Sequence, residues 1–138
     1  MKRLIILTFV IIFAGCKKNV ETYIAHLPGY WEIEKVLLAD GTEREYSYNE
    51  TIEYFSFSDS LTGLRKKLKP SLYGKFTSFN TSESFRIAIE NDSLNIYYKT
   101  PFDTWKETIL FANGEQLKII NSNKNVYLYK RYIPLKIE

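Results

Sequence analysis

The sequence predicts an all-β fold, a single eight-stranded antiparallel barrel with up-and-down connections. Short runs rich in β-branched and aromatic residues follow one another, and turn residues separate them. Apolar and polar residues alternate within several runs, which indicates strands with one dry and one wet face. Consecutive antiparallel strands bury a common dry face and lose their exposed edges by closing into a barrel. A two-sheet sandwich satisfies the same periodicity and stays open as an alternative.

The expected bounds of the strands follow from the runs and the turns between them. We expect strands at residues 30–38, 51–58, 73–79, 84–90, 93–99, 104–112, 115–120 and 126–132. Residues 43–48 either extend the second strand or pair with the first. The turn pairs between the runs are Asp40-Gly41, Asn91-Asp92 and Asn113-Gly114. Asn-Gly is the strongest two-residue signal for a β-hairpin, so neighbouring strands should be antiparallel.

A basic run, Arg65 to Lys69, lies in the segment 59–72 that we expect to be a long connection. Such a run is usually a solvated loop. The alternative is a contact with an anionic partner, either lipid headgroups or an acidic ligand at the mouth of the barrel. A connection of this length could also cover that mouth as a lid.

The first residues have the order of a secretory signal peptide. Met1-Lys2-Arg3 is positive, residues 4–13 are apolar apart from one threonine, and Ala14-Gly15 are small. This apolar stretch is shorter than the roughly 20 residues that a membrane-spanning helix needs. We therefore expect a signal peptide at 1–15, a tether at 16–26 and a barrel domain at 27–138.

The only cysteine of the chain, Cys16, follows that stretch directly. Phe13-Ala14-Gly15-Cys16 resembles a bacterial lipoprotein box, in which the cysteine sulfur receives a lipid such as palmitate and the chain is cut just before it. Phe13 departs from the Leu that is usual there. The resemblance implies a lipid-anchored protein of the bacterial cell envelope, and Lys17 favours the outer membrane over the inner one. Several acyl chains give stable anchoring.

Charge and composition exclude some classes of partner. The chain has 19 Lys and Arg against 16 Asp and Glu, and removing Lys2 and Arg3 with the signal leaves 17 against 16. A nearly neutral domain is not expected to bind nucleic acid, which favours strongly basic domains. With a single cysteine the chain cannot form an internal disulfide, so a hydrophobic core must hold one domain together. We expect a monomer.

Both ends of the predicted barrel resemble the lipocalin-like (calycin) families, especially small lipocalin-like lipoproteins of bacteria. Leu27-Pro28-Gly29-Tyr30-Trp31-Glu32-Ile33 is similar to their opening Gly-x-Trp strand, and 107–109, 116–119 and 126–131 are similar to their closing strands. In the family the opening Trp packs under an Arg of the last strand and closes the bottom of the barrel. The resemblance implies that Trp31 and Arg131 form this pair.

Catalysis has little support in the sequence. The only histidine, His26, precedes the predicted domain, so a histidine-based triad or metal site is not expected. We expect neither an enzyme nor a cofactor. Glu107 lies in a run whose neighbours Trp105 and Ile109 suggest an inward face, where a carboxylate needs a partner. It could orient a ligand, pair with Arg131 or a tyrosine, or face water if the register is reversed.

Aromatic residues are the strongest hint of function. The chain has 11 Tyr and 9 Phe, and they either fill the barrel or line a cavity for one small ligand. The candidate lining residues are Phe85, Ile87, Tyr98, Trp105 and Phe111. The sequence thus predicts an anchored barrel that binds a small hydrophobic or amphiphilic molecule. The alternative is a filled barrel that serves as a structural or interaction protein of the envelope.

One modification site is a further candidate. Asp59-Ser60-Leu61 resembles the Asp-Ser/Thr-apolar acceptor that one group of bacteria uses for O-glycosylation of exported proteins. Ser60 lies in a predicted loop and is the candidate acceptor.

Overall fold

The computed structural model describes residues 19–72 and 74–134, without the side chain of Asn80. The expected signal peptide and Cys16 lie outside this part of the chain. The elements are α1 (Glu21–Ile24), β1 (Gly29–Leu37), β2 (Glu43–Glu45), β3 (Ile52–Phe57), β4 (Thr62–Pro70), β5 (Phe76–Glu90), β6 (Ser93–Lys99), β7 (Thr104–Ala112), β8 (Gln116–Asn121) and β9 (Val126–Arg131). No helix among the described residues is long and apolar enough to cross a membrane.

The strands form a closed barrel in sequence order. Every neighbouring pair is antiparallel, and β9 returns to pair with β1 from Trp31 opposite Arg131 to Leu37 opposite Val126. Eight strands, β1 and β3 to β9, make the wall, while β2 adds to one edge of β1. The closure confirms the predicted eight-stranded barrel and decides against the sandwich. Residues 43–45 follow the second expectation for this segment, since they pair with the first strand.

Most of the predicted strands are confirmed. β6 and β7 have the predicted bounds. β1, β3 and β8 differ from the predicted bounds by one residue at each end, and β9 ends one residue earlier than predicted. The hairpin between β5 and β6 turns on Asn91 and Asp92, whose φ angles are 50° and 61°. Both residues are therefore left-handed, as a two-residue hairpin with the right-handed twist of its strands requires.

Two expectations for residues 59–90 are wrong. The expected long connection contains β4, so the basic run lies on a strand and not in a loop. The strands expected at 73–79 and 84–90 belong to one strand, β5, which pairs with β4 over most of its length. Three of the nine residues of β4 are lysine, a residue type that strands contain less often than average, so composition concealed this strand.

The far end of the β4–β5 hairpin bends towards the outside of the barrel. The pairing is irregular between Lys66 and Leu68. Beyond this point Phe76 stacks on the outward ring of Tyr30 with 4.8 Å between the ring centroids, and Tyr30 stacks in turn on Tyr54. The hairpin thus covers an aromatic cluster on the outer face of β1 and β3.

One end of the barrel is closed by the segment before β1. Residues 20–26 were expected to be a tether, but they include α1 and pack against the core, with Val20 and Leu27 buried. The interior above this segment is filled with apolar side chains. The largest fully buried ones are Trp31, Tyr98, Phe55, Leu27, Leu94, Ile96, Ile109, Leu117 and Ile119. We call this the closed end; the β1–β3, β6–β7 and β8–β9 connections lie at the opposite end, the mouth.

Trp31 and Arg131 lie together at the closed end. The Arg131 guanidinium carbon is 3.8 Å from the centroid of the Trp31 ring, and the indole Nε1 donates to the carbonyl of Leu27 at 2.9 Å. Arg131 also donates to the carbonyls of His26, Pro28 and Gly114 at 2.7, 2.9 and 3.1 Å. One side chain therefore joins the entering segment, the last strand and the β7–β8 turn.

Gly29 makes room for this arrangement. Its φ is +115°, and a Cβ at this position would come within 2.7 Å of the Arg131 Nη1. Any larger residue would strain the backbone and displace the guanidinium from the indole. This explains in physical terms why glycine stands two positions before Trp31.

We expect Trp31→Ala to lower the free energy of unfolding by about 3–5 kcal/mol, because it empties a fully buried site. A double-mutant cycle with Arg131→Ala, measured by urea unfolding, should show a coupling of about 0.5–2 kcal/mol from the stacked cation. Lys130→Ala, at the exposed neighbouring position, is the control and should be additive with Trp31→Ala. If the free-energy changes of Trp31→Ala and Arg131→Ala were also simply additive, the two side chains would not be energetically coupled.

Candidate functional site

A cavity of about 350 Å³ lies inside the barrel above the apolar core. Strands β3, β4, β5, β7, β8 and β9 contribute to its wall. Its charged lining residues are Glu53, Arg65, Lys66, Lys67, Glu83 and Glu107. We call it the charged cavity, because six charged side chains surround a space of this size.

Arg65 projects into the interior from the middle of β4 and is 9% exposed. Its Nε donates to Glu53 at 3.2 Å, and its Nη1 donates to the Tyr98 hydroxyl at 3.0 Å and to Glu107 at 3.5 Å. Its Nη2 donates to the Tyr129 hydroxyl at 3.1 Å. The sequence-based expectation of a solvated basic loop is therefore wrong for this residue, which is the centre of a buried polar network.

The rings below Arg65 complete its surroundings. The guanidinium carbon is 5.1 Å from the centroid of the Phe55 ring and 5.6 Å from that of Tyr98. Aromatic faces attract a cation that has been removed from water. The guanidinium thus rests on the top of the apolar core and forms the floor of the charged cavity.

Burial and the attraction between opposite charges shift the pKa of Arg65 and of Glu107 in opposite directions. Burial alone would lower the pKa of Arg65, but the oxygens of Tyr98, Tyr129, Glu53 and Glu107 raise this pKa well above its usual value. Burial raises the pKa of Glu107, and the Arg65 guanidinium offsets part of that rise. The cation is therefore fixed, while Glu107 gains a proton more readily than an exposed glutamate would.

The pKa of Glu83 is shifted by the same two effects as that of Glu107, but Glu83 forms no ion pair with Arg65. Burial raises the pKa of its carboxyl, and Arg65 lowers it again in part. Within the described part of the chain, the ion pairs of Arg65 go to Glu53 and Glu107 and none goes to Glu83. Glu83 thus offers a carboxylate at the cavity wall that another polar group could engage.

A second cavity of about 290 Å³ adjoins the first on the side of β1. The two share the lining residues Glu53, Lys67, Tyr127 and Tyr129. The apolar and aromatic lining of the second is Trp31, Ile33, Val36, Tyr46 and Tyr48, and we call it the aromatic cavity. The space inside the barrel therefore has a charged part and a second part in which aromatic and apolar side chains lie beside polar ones such as Asn49, Glu50 and Thr51.

The β1–β3 connection forms one wall of the aromatic cavity. Tyr46, Tyr48 and Asn49 all line it. The Asn49 amide donates to Glu32 at 3.2 Å and to the carbonyl of Ile33 at 2.9 Å. These bonds hold the connection against β1 at the edge of the mouth.

The five candidate lining residues do not share one environment. Phe85, Ile87 and Tyr98 are 4%, 4% and 1% exposed and belong to the packed core. Trp105 stacks on Tyr98 with 5.2 Å between the ring centroids and lines the charged cavity. Phe111 is 38% exposed and contacts Tyr23 of α1. Among the five, only Trp105 lines the charged cavity, and none lines the aromatic cavity.

A strand irregularity explains the position of Phe111. The β7–β8 pairing shifts between Ile109 and Phe111, which indicates a bulge. A bulge reverses the alternation beyond it, so that Ala112 is buried and Phe111 faces outward. Strict alternation along β7 predicted the opposite.

The sequence missed most of the polar network. Glu107 faces inward as its neighbours suggested, but its partner is Arg65 rather than Arg131 or a tyrosine. Glu53 and Tyr129 were not singled out at all. The inward position of Glu107 was the one available signal, because a buried carboxylate requires a cation or a donor from another strand.

Comparison with known proteins assigns the fold to a family. The family described as lipocalin-like domain matches residues 27–119. This chain belongs to the lipocalin-like domain family. A crystal structure of a lipocalin-like protein from Bacteroides uniformis is 12% identical, with a TM-score of 0.51, and covers 78% of this chain and 99% of that one. An uncharacterized protein from Bacteroides eggerthii is 9% identical, with a TM-score of 0.49, over 77% and 99%. No curated protein sequence matches significantly.

Other candidate residues of this lipocalin-like domain lie apart from the cavities. Ser60 is exposed in the β3–β4 turn at the closed end. The Asp59 carboxylate shapes this turn by accepting from the backbone N–H groups of Leu61 and Thr62 at 2.8 Å each. His26 contributes its carbonyl to Arg131. Within residues 19–72 and 74–134, no three His, Cys, Asp or Glu side chains are grouped as metal ligands would be.

Alkaline pH is expected to weaken the fold through Tyr129. Burial raises the pKa of Tyr129 to about 12, whereas the pKa of a tyrosine in an unfolded chain is about 10. Between these values the unfolded chain loses a proton that the folded chain keeps. The free energy of unfolding should therefore fall by about 1.4 kcal/mol per pH unit on account of this group.

Tyr129→Phe should make the pH dependence of stability shallower by that amount, measured by urea unfolding at several pH values above about 9. Burial also raises the pKa of Tyr98, so the variant should keep the part of the slope that Tyr98 contributes. Parallel curves for wild type and variant would show that folding does not hold the proton on Tyr129.

Proposed function

We propose that this protein is a lipid-anchored, non-enzymatic binding protein of the bacterial cell envelope whose barrel holds a small amphiphilic molecule. The observation that carries the proposal is the pair of adjoining cavities of unlike character. Lipocalin-like barrels have the size to enclose one small ligand, so the family supports the same conclusion.

The division of the cavities favours an amphiphilic ligand over a purely apolar one. An apolar group can pack against Trp31, Ile33 and Val36 in the aromatic cavity. A polar group can then reach Glu83 or the Arg65 network, where an apolar group would leave charges without water or partners. The ligand would lie across the shared residues, with its polar part in the charged cavity.

The anchor and the location rest on the first residues of the sequence. Cys16 follows a signal-like stretch and is the only cysteine, so lipidation of its sulfur accounts for its position. We place the protein on the outer membrane in preference to the inner one because Lys17 follows the cysteine. It acts as a monomer in this proposal, and Ser60, exposed in a turn, remains the candidate glycosylation site.

A second candidate function is an interaction protein of the envelope that works through the mouth of the barrel. Phe102 in the β6–β7 connection is 96% exposed and Tyr48 in the β1–β3 connection is 82% exposed. Large exposed aromatic residues often serve as anchors in protein interfaces. This candidate also agrees with the densely filled core at the closed end.

Filling the aromatic cavity should separate the two functions. Ile33→Trp places a large side chain into the space that the ligand would use, so saturable binding of an amphiphilic fluorescent probe should be lost. Glu34→Trp is the matched control, because Glu34 is the next residue of β1 and is exposed; it should bind the probe like the wild type. Circular dichroism checks that both variants are folded.

If the wild-type protein has no saturable site for amphiphilic probes, or if both variants bind equally well, the ligand proposal is wrong. Native mass spectrometry of protein purified from its own host provides an independent measurement. A co-purifying small molecule that Ile33→Trp fails to retain would support binding inside the barrel.

The anchor has a separate test. Cys16→Ser removes the acyl acceptor, so the variant should move from the membrane fraction to the soluble fraction with its fold intact. Fractionation followed by circular dichroism measures both properties. Ser60→Ala is the control and should stay on the membrane. Membrane retention of Cys16→Ser after signal cleavage, in salt high enough to screen surface charges, would contradict the lipoprotein assignment.

A further inference from the structure

A groove of about 800 Å³ runs across the outer face of β4 to β7. Its floor follows a row of paired residues, Gly63, Phe85, Tyr98 and Trp105, whose side chains other than the glycine point into the barrel. The rows on either side carry outward side chains, because neighbouring positions of a strand point to opposite faces. The groove thus lies between two ridges on the outer surface.

Gly63 lies at one end of this groove and permits close packing there. A Cβ at Gly63 would lie 2.1 Å from the carbonyl oxygen of Ser56 and 2.8 Å from Phe85 Cζ. The missing side chain therefore lets β3 and the Phe85 ring approach β4 much more closely than another residue would permit. Any larger residue at Gly63 would therefore displace β3 or the Phe85 ring beneath this end of the groove.

The two ridges are basic. Arg86 and Lys106 lie on one ridge and Lys99 on the other, and none of the lining residues is Asp or Glu. Arg86 is held over the ring of Tyr97, with its guanidinium carbon 4.2 Å from the centroid. Lys99 and Lys106 are both exposed. Leu64, 37% exposed, gives the groove an apolar end.

Three carboxylates flank the groove, and each already accepts hydrogen bonds. Glu90 accepts from the Tyr97 hydroxyl and from the Asn95 amide. Asp59 accepts from Thr62, and Asp103 accepts from the backbone N–H of Thr104. None of the three lines the groove, so its lining carries three positive charges and no negative one. A negatively charged partner can complement this lining.

The proposed anchor lies on the same side of the barrel. Tyr23 of α1 contacts the outward ring of Phe111 on β7, with 5.8 Å between the ring centroids. Asn19, where the described chain begins, is three positions after Cys16. Three residues span at most about 11 Å. A lipid on Cys16 would therefore hold the β7 side of the closed end close to the bilayer.

We propose that the outer face of β5, β6 and β7 lies on the membrane and that its groove takes the phosphate headgroup of an anionic phospholipid. Arg86, Lys99 and Lys106 neutralise the phosphate, and Leu64 contacts the first apolar atoms of the lipid. The mouth of the barrel then opens beside the membrane and not into it. This inference rests on the lipid anchor of the proposed function.

Vesicle binding by the unlipidated chain tests the groove without the anchor. The chain carrying Cys16→Ser is mixed with vesicles of phosphatidylcholine, with and without phosphatidylglycerol, and sedimented. We expect binding to the anionic vesicles only, and weaker binding as salt rises. Because each lysine near an anionic surface strengthens binding about fivefold, Lys99→Gln with Lys106→Gln should weaken it about 25-fold.

Lys118→Gln with Lys124→Gln is the matched control, since it removes the same charge from β8 and the β8–β9 turn. It should change binding by less than about twofold if the effect is local and not due to net charge. Equal losses in the two double variants, equal binding to neutral vesicles or no binding to anionic vesicles would each overturn the proposal. Inorganic phosphate that competes at equal phosphate concentration would also overturn it, since it would show a site for free anions.

The result of the vesicle experiment does not depend on the ligand site inside the barrel. The Lys99→Gln/Lys106→Gln double variant should bind an amphiphilic probe inside the barrel like the wild type, and Ile33→Trp should bind anionic vesicles like the wild type. Loss of vesicle binding with intact probe binding therefore concerns the groove alone. If Cys16→Ser stays on cell membranes because of this face, adding Lys99→Gln and Lys106→Gln should release it. Retention that survives these two changes would instead contradict the lipoprotein assignment.

Discussion

The interior of this barrel is organised around one buried cation. The Arg65 guanidinium is held by two carboxylates and two tyrosine hydroxyls from other strands, and it rests on the rings of Phe55 and Tyr98. Removing one partner of such a group is costly because a charge is left without compensation at low dielectric. The rings of the buried apolar core lie directly against the guanidinium, and Arg65 itself lines the charged cavity. The arginine therefore sets where the core ends and where a ligand could begin.

The closed end depends on a similar use of arginine at lower burial. Arg131 stacks on Trp31 and donates to three carbonyls, two in the segment before β1 and one in the β7–β8 turn. The two guanidinium groups thus secure opposite limits of the same core. Planar groups with five donors suit both positions, since each can stack on a ring while it donates in several directions.

The sequence was a good guide where the pattern was regular and failed where one residue broke it. Turn pairs and alternation placed β6 and β7 without error, and the opening Gly-x-Trp segment indicated the closed end. The lysine-rich composition of β4 suggested a loop, so neither the strand nor the buried position of Arg65 was predicted. A single bulge near Leu110 turned Phe111 outward, which alternation cannot foresee. The polar network joins residues from five strands, and only the fold brings them together.

The sequence distances within that network bear on when it forms. Arg65 is separated by 33 positions from Tyr98, by 42 from Glu107 and by 64 from Tyr129. Long-range contacts are slow to form because the intervening chain must first be ordered. The charged cavity is therefore complete only when β9 has closed onto β1, so a partly folded or partly opened chain lacks this cavity. A ligand that bridges these strands would bind the finished barrel alone, and its presence would slow the loss of the last strand.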